Sequence, residues 1–176
     1  PWTRSLREAL RPPHLHYSLR DGIDEDDPEL LDQLCRNVLP GRGIQVEPDH
    51  VLVTLGSQHG LDLLARAVLR PGSRVGVEEP GYPDTRHILE LAGADLVSLP
   101  VDEWGVRPPP DLSGLALVAL TPSHHSPTNV TLSAARRRQI LRRAVESDTL
   151  IVEDDYESEF RYEGSPTPAL RAMPDS

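Results

Sequence analysis

From residue 51 onward the chain alternates short, continuous apolar runs with longer stretches whose apolar residues recur at helical spacing. Few folds accept that rhythm. A strand covered on both faces reads as an unbroken apolar run, and a surface helix reads as an apolar stripe. Val51-Leu52-Val53-Thr54 reads as a first short buried strand, followed by an amphipathic helix over residues 57–69 that Pro71-Gly72 stops. Residues 74–77 read as a second strand, 83–92 as a second helix closed by Gly93, and 95–99 as a third strand. Residues 115–120 are wholly apolar and read as a fourth, central strand. Ser133 is placed to cap a long helix running to about Glu146, and residues 149–152 form a fifth strand that ends in an acidic cluster. The alternation predicts an α/β fold, with three layers (α/β/α) built around a mainly parallel sheet.

Upstream the pattern is weaker. Residues 1–26 are expected to be an irregular segment, broken by Pro12-Pro13 and ending in an acidic run. Pro28 opens a helical pattern through Leu30, Leu31, Leu34, Cys35 and Val38, which Pro40 and Gly41 end. Residues 27–176 are expected to form one folded unit. The formal net charge of −10 argues against direct contact with nucleic acid by this segment, because such binding rests on cations that displace counterions. The apolar run at 115–120 is far short of the roughly 20 residues that a membrane helix needs. No signal-peptide pattern opens the chain, so a cytoplasmic location and no membrane partner are expected. Cys35 is the single cysteine and reads as a small buried residue. The arginines at 136, 137, 138, 142 and 143 read as a solvated helix face.

In parallel sheets with helices on both faces, ligands bind at the carboxyl ends of the strands. After the first strand stands Leu55-Gly56-Ser57-Gln58-His59-Gly60, at a helix start, where free amides and the helix dipole suit a phosphate or serve simply as a turn and cap. After the second stands Glu78-Glu79-Pro80-Gly81-Tyr82-Pro83, whose tyrosine can stack on a flat ligand or pack on its own turn. After the fourth stands Thr121-Pro122-Ser123-His124-His125-Ser126-Pro127-Thr128-Asn129. Adjacent histidines in an extended segment point opposite ways, so no metal site is expected. After the fifth stands Glu153-Asp154-Asp155-Tyr156. A carboxylate at the tip of an apolar strand needs a cationic partner, while Glu153 and Asp155 read as members of an acidic loop in water.

In this order and spacing, these segments resemble the large domain of fold type I pyridoxal-phosphate (PLP) proteins of the aminotransferase class I/II type. They resemble in particular the aminotransferase-like domain of MocR-type (GntR family) regulators. The most specific segment is Ile151-Val-Glu-Asp-Asp-Tyr-Glu-Ser-Glu-Phe-Arg-Tyr162. The resemblance implies PLP as cofactor, with Gly56, Ser57 and Gln58 in the loop that holds its phosphate. It implies Tyr82 stacked on the pyridine ring, Asp154 paired with the ring nitrogen, and Tyr156 bonded to the ring's 3-oxygen. The family's Asn-Pro-Thr-Gly is Ser126-Pro127-Thr128-Asn129 here, so Ser126 takes the place of the asparagine that meets the same oxygen.

All 18 basic residues are arginine, and the Schiff-base lysine of the family has no counterpart in the 176 residues. The expectation is therefore a partial PLP-binding large domain over 27–176, with no catalytic residue of its own, drawn from a parent that transfers an amino group from an amino acid to a 2-oxo acid. The alternative is the PLP- and effector-sensing domain of a MocR-type regulator without its DNA-binding domain. Either parent is expected to bind a small amino acid or amine and to form a homodimer. Unpaired sheet edges predict poor solubility in isolation.

Overall fold

The computed structural model describes residues 1–12, 14–19, 24–156 and 167–173. Five strands form one sheet: β1 (Arg74–Glu79), β2 (Asp95–Asp102), β3 (Gly105–Val106), β4 (Leu117–Leu120) and β5 (Leu150–Glu153), in the order β3-β2-β1-β4-β5. The helices are α1 (Trp2–Ala9), α2 (His14–Ser18), α3 (Pro28–Gln33), α4 (Ser57–Val68), α5 (Pro83–Leu91) and α6 (Ala134–Glu146). β1 runs parallel to β2 and to β4, with Val75 opposite Leu96 on one side and Leu117 on the other. β4 and β5 are also parallel, from Leu117 opposite Leu150 to Leu120 opposite Glu153.

The pleat divides the apolar strand residues between two cores. Val75, Val77, Leu117 and Ala119 meet Ala65 and Leu69 at α4 and Leu89 of α5. Val118 and Leu120 face the other way, onto Ile140, Leu141 and Ala144 of α6. Helices therefore cover both faces, and the strands carry apolar residues on each, as a parallel sheet demands. Ser133 caps α6 by accepting from the Arg136 amide, and Gly93, at φ +83°, follows α5.

Several expectations need correction. Residues 51–54 make no strand pairing among the described residues, and Leu52 and Val53 are exposed. An apolar run specifies a strand only where a neighbour accepts its backbone groups. Here the Asp26 carboxylate takes the Val53 N–H at 2.7 Å instead. The segment expected to be irregular contains α1 and α2. Trp2, Leu6 and Leu10 do recur at helical spacing, but all three are exposed, so α1 lacks the buried face by which helices are usually read. β3 escapes sequence reading because two residues carry no periodicity. It exists because Gly105, at φ +90°, turns the chain back onto Val101. α3 begins as expected, with the Asp27 carboxylate accepting from the Glu29 and Leu30 amides. It continues through a π-helical turn (Leu34–Val38) and a 3-10 turn (Leu39–Arg42) to Gly43, past the expected stop at Gly41. Cys35 is partly buried.

The arginines of α6 are not one solvated face. Arg136 grips both oxygens of Asp102 at 2.6 and 2.7 Å. Arg137 is 3% exposed and donates to the carbonyls of Leu132, Pro168 and Pro122 at 3.0, 2.9 and 2.8 Å. Arg143 donates to the Pro108 carbonyl, while Arg138 and Arg142 remain exposed. Net charge says nothing about how an arginine's five donors are used, and buried loop carbonyls recruit them.

Candidate functional site

The carboxyl ends of β1, β4 and β5, together with the starts of α4 and α5, enclose a cleft of about 250 Å³. Its lining includes Ser57, Tyr82, Glu78, Thr121, Arg86 and Asp154. That volume is just below the roughly 300–1,000 Å³ of most small-molecule sites and suits one small ring better than an extended ligand.

The starts of α4 and α5 shape its rim. Gly56 sits at φ +85°, ψ 173°, where a side chain would be strained, and precedes α4 without a side-chain cap. The first-turn amides of Ser57, Gln58 and His59 therefore lie in the part of a helix that has no internal acceptors. Gly81 permits the turn after β1: a Cβ there would lie 2.4 Å from the Glu78 carbonyl oxygen. The turn brings Tyr82 to the head of α5, where its hydroxyl donates to Asp84 at 2.8 Å. The Gln58 side-chain amide donates to the same Asp84 oxygen at 2.6 Å and to the Tyr82 hydroxyl at 3.2 Å. The hydrogen bond to Asp84, partly opposed by the one from Gln58 and aided by the Asp84 charge, pushes the Tyr82 phenol above its ordinary pKa.

The floor is more deeply buried. Glu78 Oε2 accepts from the Thr121 amide at 2.9 Å and the Thr121 hydroxyl at 2.6 Å. Burial pushes the Glu78 carboxyl up to about 7, against those two hydrogen bonds and with a smaller push from the charge of Asp154. Asp154 is partly buried, and its amide donates to Leu120 O at 2.8 Å, extending the β4–β5 ladder. Burial raises its pKa as well. Among the described residues it has no ion pair.

Of the expected cofactor residues, the structure gathers Ser57, Tyr82 and Asp154 on the cleft. Gly56 and Gln58 stand beside it and act through the turn and through Tyr82. Ser126 and Tyr156 do not line it. Ser126 lies in a tight loop that the Asn129 amide closes onto His125 O at 2.7 Å. Asn129 adopts φ +61°, the left-handed conformation that the glycine of Asn-Pro-Thr-Gly reaches without strain. Tyr156 is exposed, with its ring edge-on to His124 at 6.1 Å. Glu157 to Tyr162 of the most specific segment lie outside the described residues.

The two carboxylates flanking Asp154 are not in open water. Glu153 Oε2 accepts from the Leu170 amide at 2.7 Å, and burial raises its pKa. Asp155 pairs with the buried Arg42. Sequence reasoning also missed Glu78, Thr121 and His125. The signal was present: Glu78 ends an apolar strand just as Asp154 follows one. His124 and His125 diverge, the first toward Asn129 and the second into the interior beside Glu78. Among the described residues no cluster of three or more His, Cys, Asp or Glu could hold a metal ion.

Comparison with known proteins decides the family. The model for "Aminotransferase class I and II" matches residues 18–172. The chain belongs to that family. It is 43% identical over 172 residues to the HTH-type transcriptional regulator TauR of Rhodobacter capsulatus, covering 98% of this chain and 36% of that protein. It is 40% identical to the HTH-type pyridoxine biosynthesis transcriptional regulator PdxR of Corynebacterium glutamicum (98% and 37% covered), and 34% identical to the probable rhizopine catabolism regulatory protein MocR of Rhizobium meliloti (99% and 36%). Among solved structures, an archaeal alanine:glyoxylate aminotransferase superposes with a TM-score of 0.84 at 30% identity, covering 97% of this chain and 44% of that one. The chain thus spans little more than a third of the curated relatives it matches. No helix among the described residues is long and apolar enough to cross a membrane.

Proposed function

We propose that this chain is the PLP-recognising part of a MocR-type transcriptional regulator, supplying the ring-nitrogen partner and phosphate loop of an effector-sensing domain. The observation that carries the reading is Asp154, a partly buried carboxylate on the floor of a ring-sized cleft, its pKa raised by burial and no cation among the described residues paired with it. An unpaired buried charge is costly, and a protonated pyridine nitrogen would satisfy it. The remaining residues fit the same group. The α4 amides after Gly56 suit a phosphate, and the Tyr82 ring stands at the rim, steadied by Asp84 and Gln58.

When bound, PLP supplies an electron-withdrawing ring that reacts with amines. This chain's residues would hold and orient that ring. None of its 176 residues is a lysine, so the amine that anchors PLP covalently in the family is not among them. The regulator reading rests on relatives that are transcriptional regulators at 43% and 40% identity. Amino-group transfer from an amino acid to a 2-oxo acid is the second reading, favoured by the fold likeness to aminotransferases. On either reading the effector or substrate is a small amino acid or amine, and the working protein is a cytoplasmic homodimer.

Equilibrium dialysis against PLP, followed by its absorbance, tests the proposal. The chain retains PLP, and Asp154→Asn weakens retention about 10- to 100-fold, the worth of a charge-assisted hydrogen bond. Equal retention by the two proteins overturns the reading.

A further inference from the structure

Beneath the cleft lies a titratable cluster to which the cofactor reading assigns no role. Glu78, at the end of β1, uses a single oxygen to bind both the amide and the hydroxyl of Thr121 at the end of β4. The same oxygen lies 3.5 Å from Nε2 of His125, which is 1% exposed. That nitrogen is buried and, among the described residues, meets no partner in hydrogen-bonding geometry, while Nδ1 of the same ring meets the Thr128 hydroxyl at 2.7 Å. A buried imidazole nitrogen 3.5 Å from a buried carboxyl oxygen, each on a different element, is an expensive arrangement unless a proton is held there.

The groups around Glu78 are few. From β4 comes Thr121, and from the following loop comes His125, which also feels the Pro80 carbonyl. From β5 comes Asp154. Arg86 of α5 lines the same cleft, but its guanidinium pairs with Glu79 at 2.9 Å, and Asp84 is occupied by Tyr82 and Gln58. No described arginine pairs with Glu78.

We propose that Glu78, backed by His125, is a positioning residue that stores a proton beneath the cofactor cleft and releases it when a cation settles on Asp154. This rests on the cofactor reading above. The balance is simple. With Asp154 uncompensated, its negative charge disfavours a second anion on Glu78, so the carboxyl keeps its proton. A cation on Asp154 cancels that charge, Glu78 ionises, and the proton leaves to solvent through the cleft. The Thr121 donors and His125 Nε2, in the tautomer that bears a proton, then stabilise the new carboxylate. Burial sets the carboxyl near the pH at which such a proton is exchangeable.

Two measurements on the full chain test the coupling. The first needs no cofactor: infrared difference spectra between acidic and basic pH follow the carbonyl stretch of a protonated, buried carboxyl. The native chain shows a band that titrates near neutrality, and Glu78→Gln abolishes it. A native chain without the band, or a variant that keeps it, overturns the proposal. The second uses pyridoxine 5′-phosphate, which cannot bond covalently to an amine. Calorimetry at pH 7 in two buffers of different ionisation enthalpy counts the protons released. A carboxyl half-titrated at that pH releases up to about half a proton more in the native chain than in Glu78→Gln. Binding with equal proton counts overturns the coupling and leaves the cofactor reading intact. A titrating band without binding overturns the cofactor reading, and the coupling with it. His125→Ala, which removes the backing donor, lowers the proton release without abolishing the infrared band.

Discussion

Replacing Arg137 by methionine isolates the worth of a buried guanidinium, because methionine keeps much of the aliphatic stem and removes every donor. Among the described residues three carbonyls lose a partner: Leu132, Pro122 and Pro168. Pro122 O still receives the Leu132 amide at 2.9 Å, and Pro168 is exposed to water, so one buried carbonyl, that of Leu132, is orphaned. A hydrogen bond to a charged donor contributes about 1.5–3 kcal/mol, and an orphaned buried carbonyl costs at least about 1 kcal/mol. Sparing the guanidinium its own desolvation offsets part of the loss. The net expectation is a destabilisation of about 3–4 kcal/mol, a large share of the roughly 5–15 kcal/mol of a typical domain. With a urea m-value of about 2 kcal/mol/M, the unfolding midpoint falls by roughly 1.5–2 M. Arg138→Met, on the exposed side of the same helix, supplies the comparison and stays within about 0.5 kcal/mol. If both variants unfold at the same urea concentration, Arg137 is not the clamp that ties α6 to the loop after β4 and to Pro168.

The Glu78 carboxyl is raised from 4.5 to about 7 by burial, so its effect on stability is most favourable below about 4.5 and is lost as pH rises to about 7. Glu78→Gln therefore flattens the fall in urea midpoint between those values, and a parallel fall in both proteins would contradict the burial of this group. Asp102 behaves oppositely: the hydrogen bond from Arg136 holds it down at about 2 from 3.8. Its contribution is complete above about 4 and disappears toward pH 2, a loss that Asp102→Asn should not show in acid titrations followed by circular dichroism. Gly81→Ala, whose Cβ would lie 2.4 Å from the Glu78 carbonyl oxygen, distorts the turn under Tyr82, lowering thermal stability and PLP retention together. Ser133→Ala removes the α6 cap and costs about 1 kcal/mol in the same urea assay.

What the sequence made legible follows from where burial is symmetrical. β1, β2, β4 and β5 all fall on the expected runs, because each is apolar on both faces or ends at a marked turn. α4, α5 and α6 appear with the proline, glycine and serine punctuation read for them. Residues 51–54 carry the same apolar signature as β1 but lack a described strand beside them, a fact no single stretch encodes. Asp154 was readable because it follows an apolar strand directly. The burial of Arg137 was not, because its partners are carbonyls from segments 5 to 31 residues away. The same holds for the tie between Glu78 and Thr121, which lie 43 residues apart.

That tie has a mechanical consequence. β1 and β4 are locked to each other at their carboxyl ends by a side chain as well as by the ladder, so the base of the cleft cannot splay without breaking both bonds from Thr121 to Glu78. The upper edge is a different material. Tyr82, Gln58 and Asp84 are linked through solvent-accessible bonds that water can replace one at a time. A visiting molecule thus meets a stiff seat and a pliable lip, so it would be felt through how the aromatic edge re-forms around it, while the strands below hardly move.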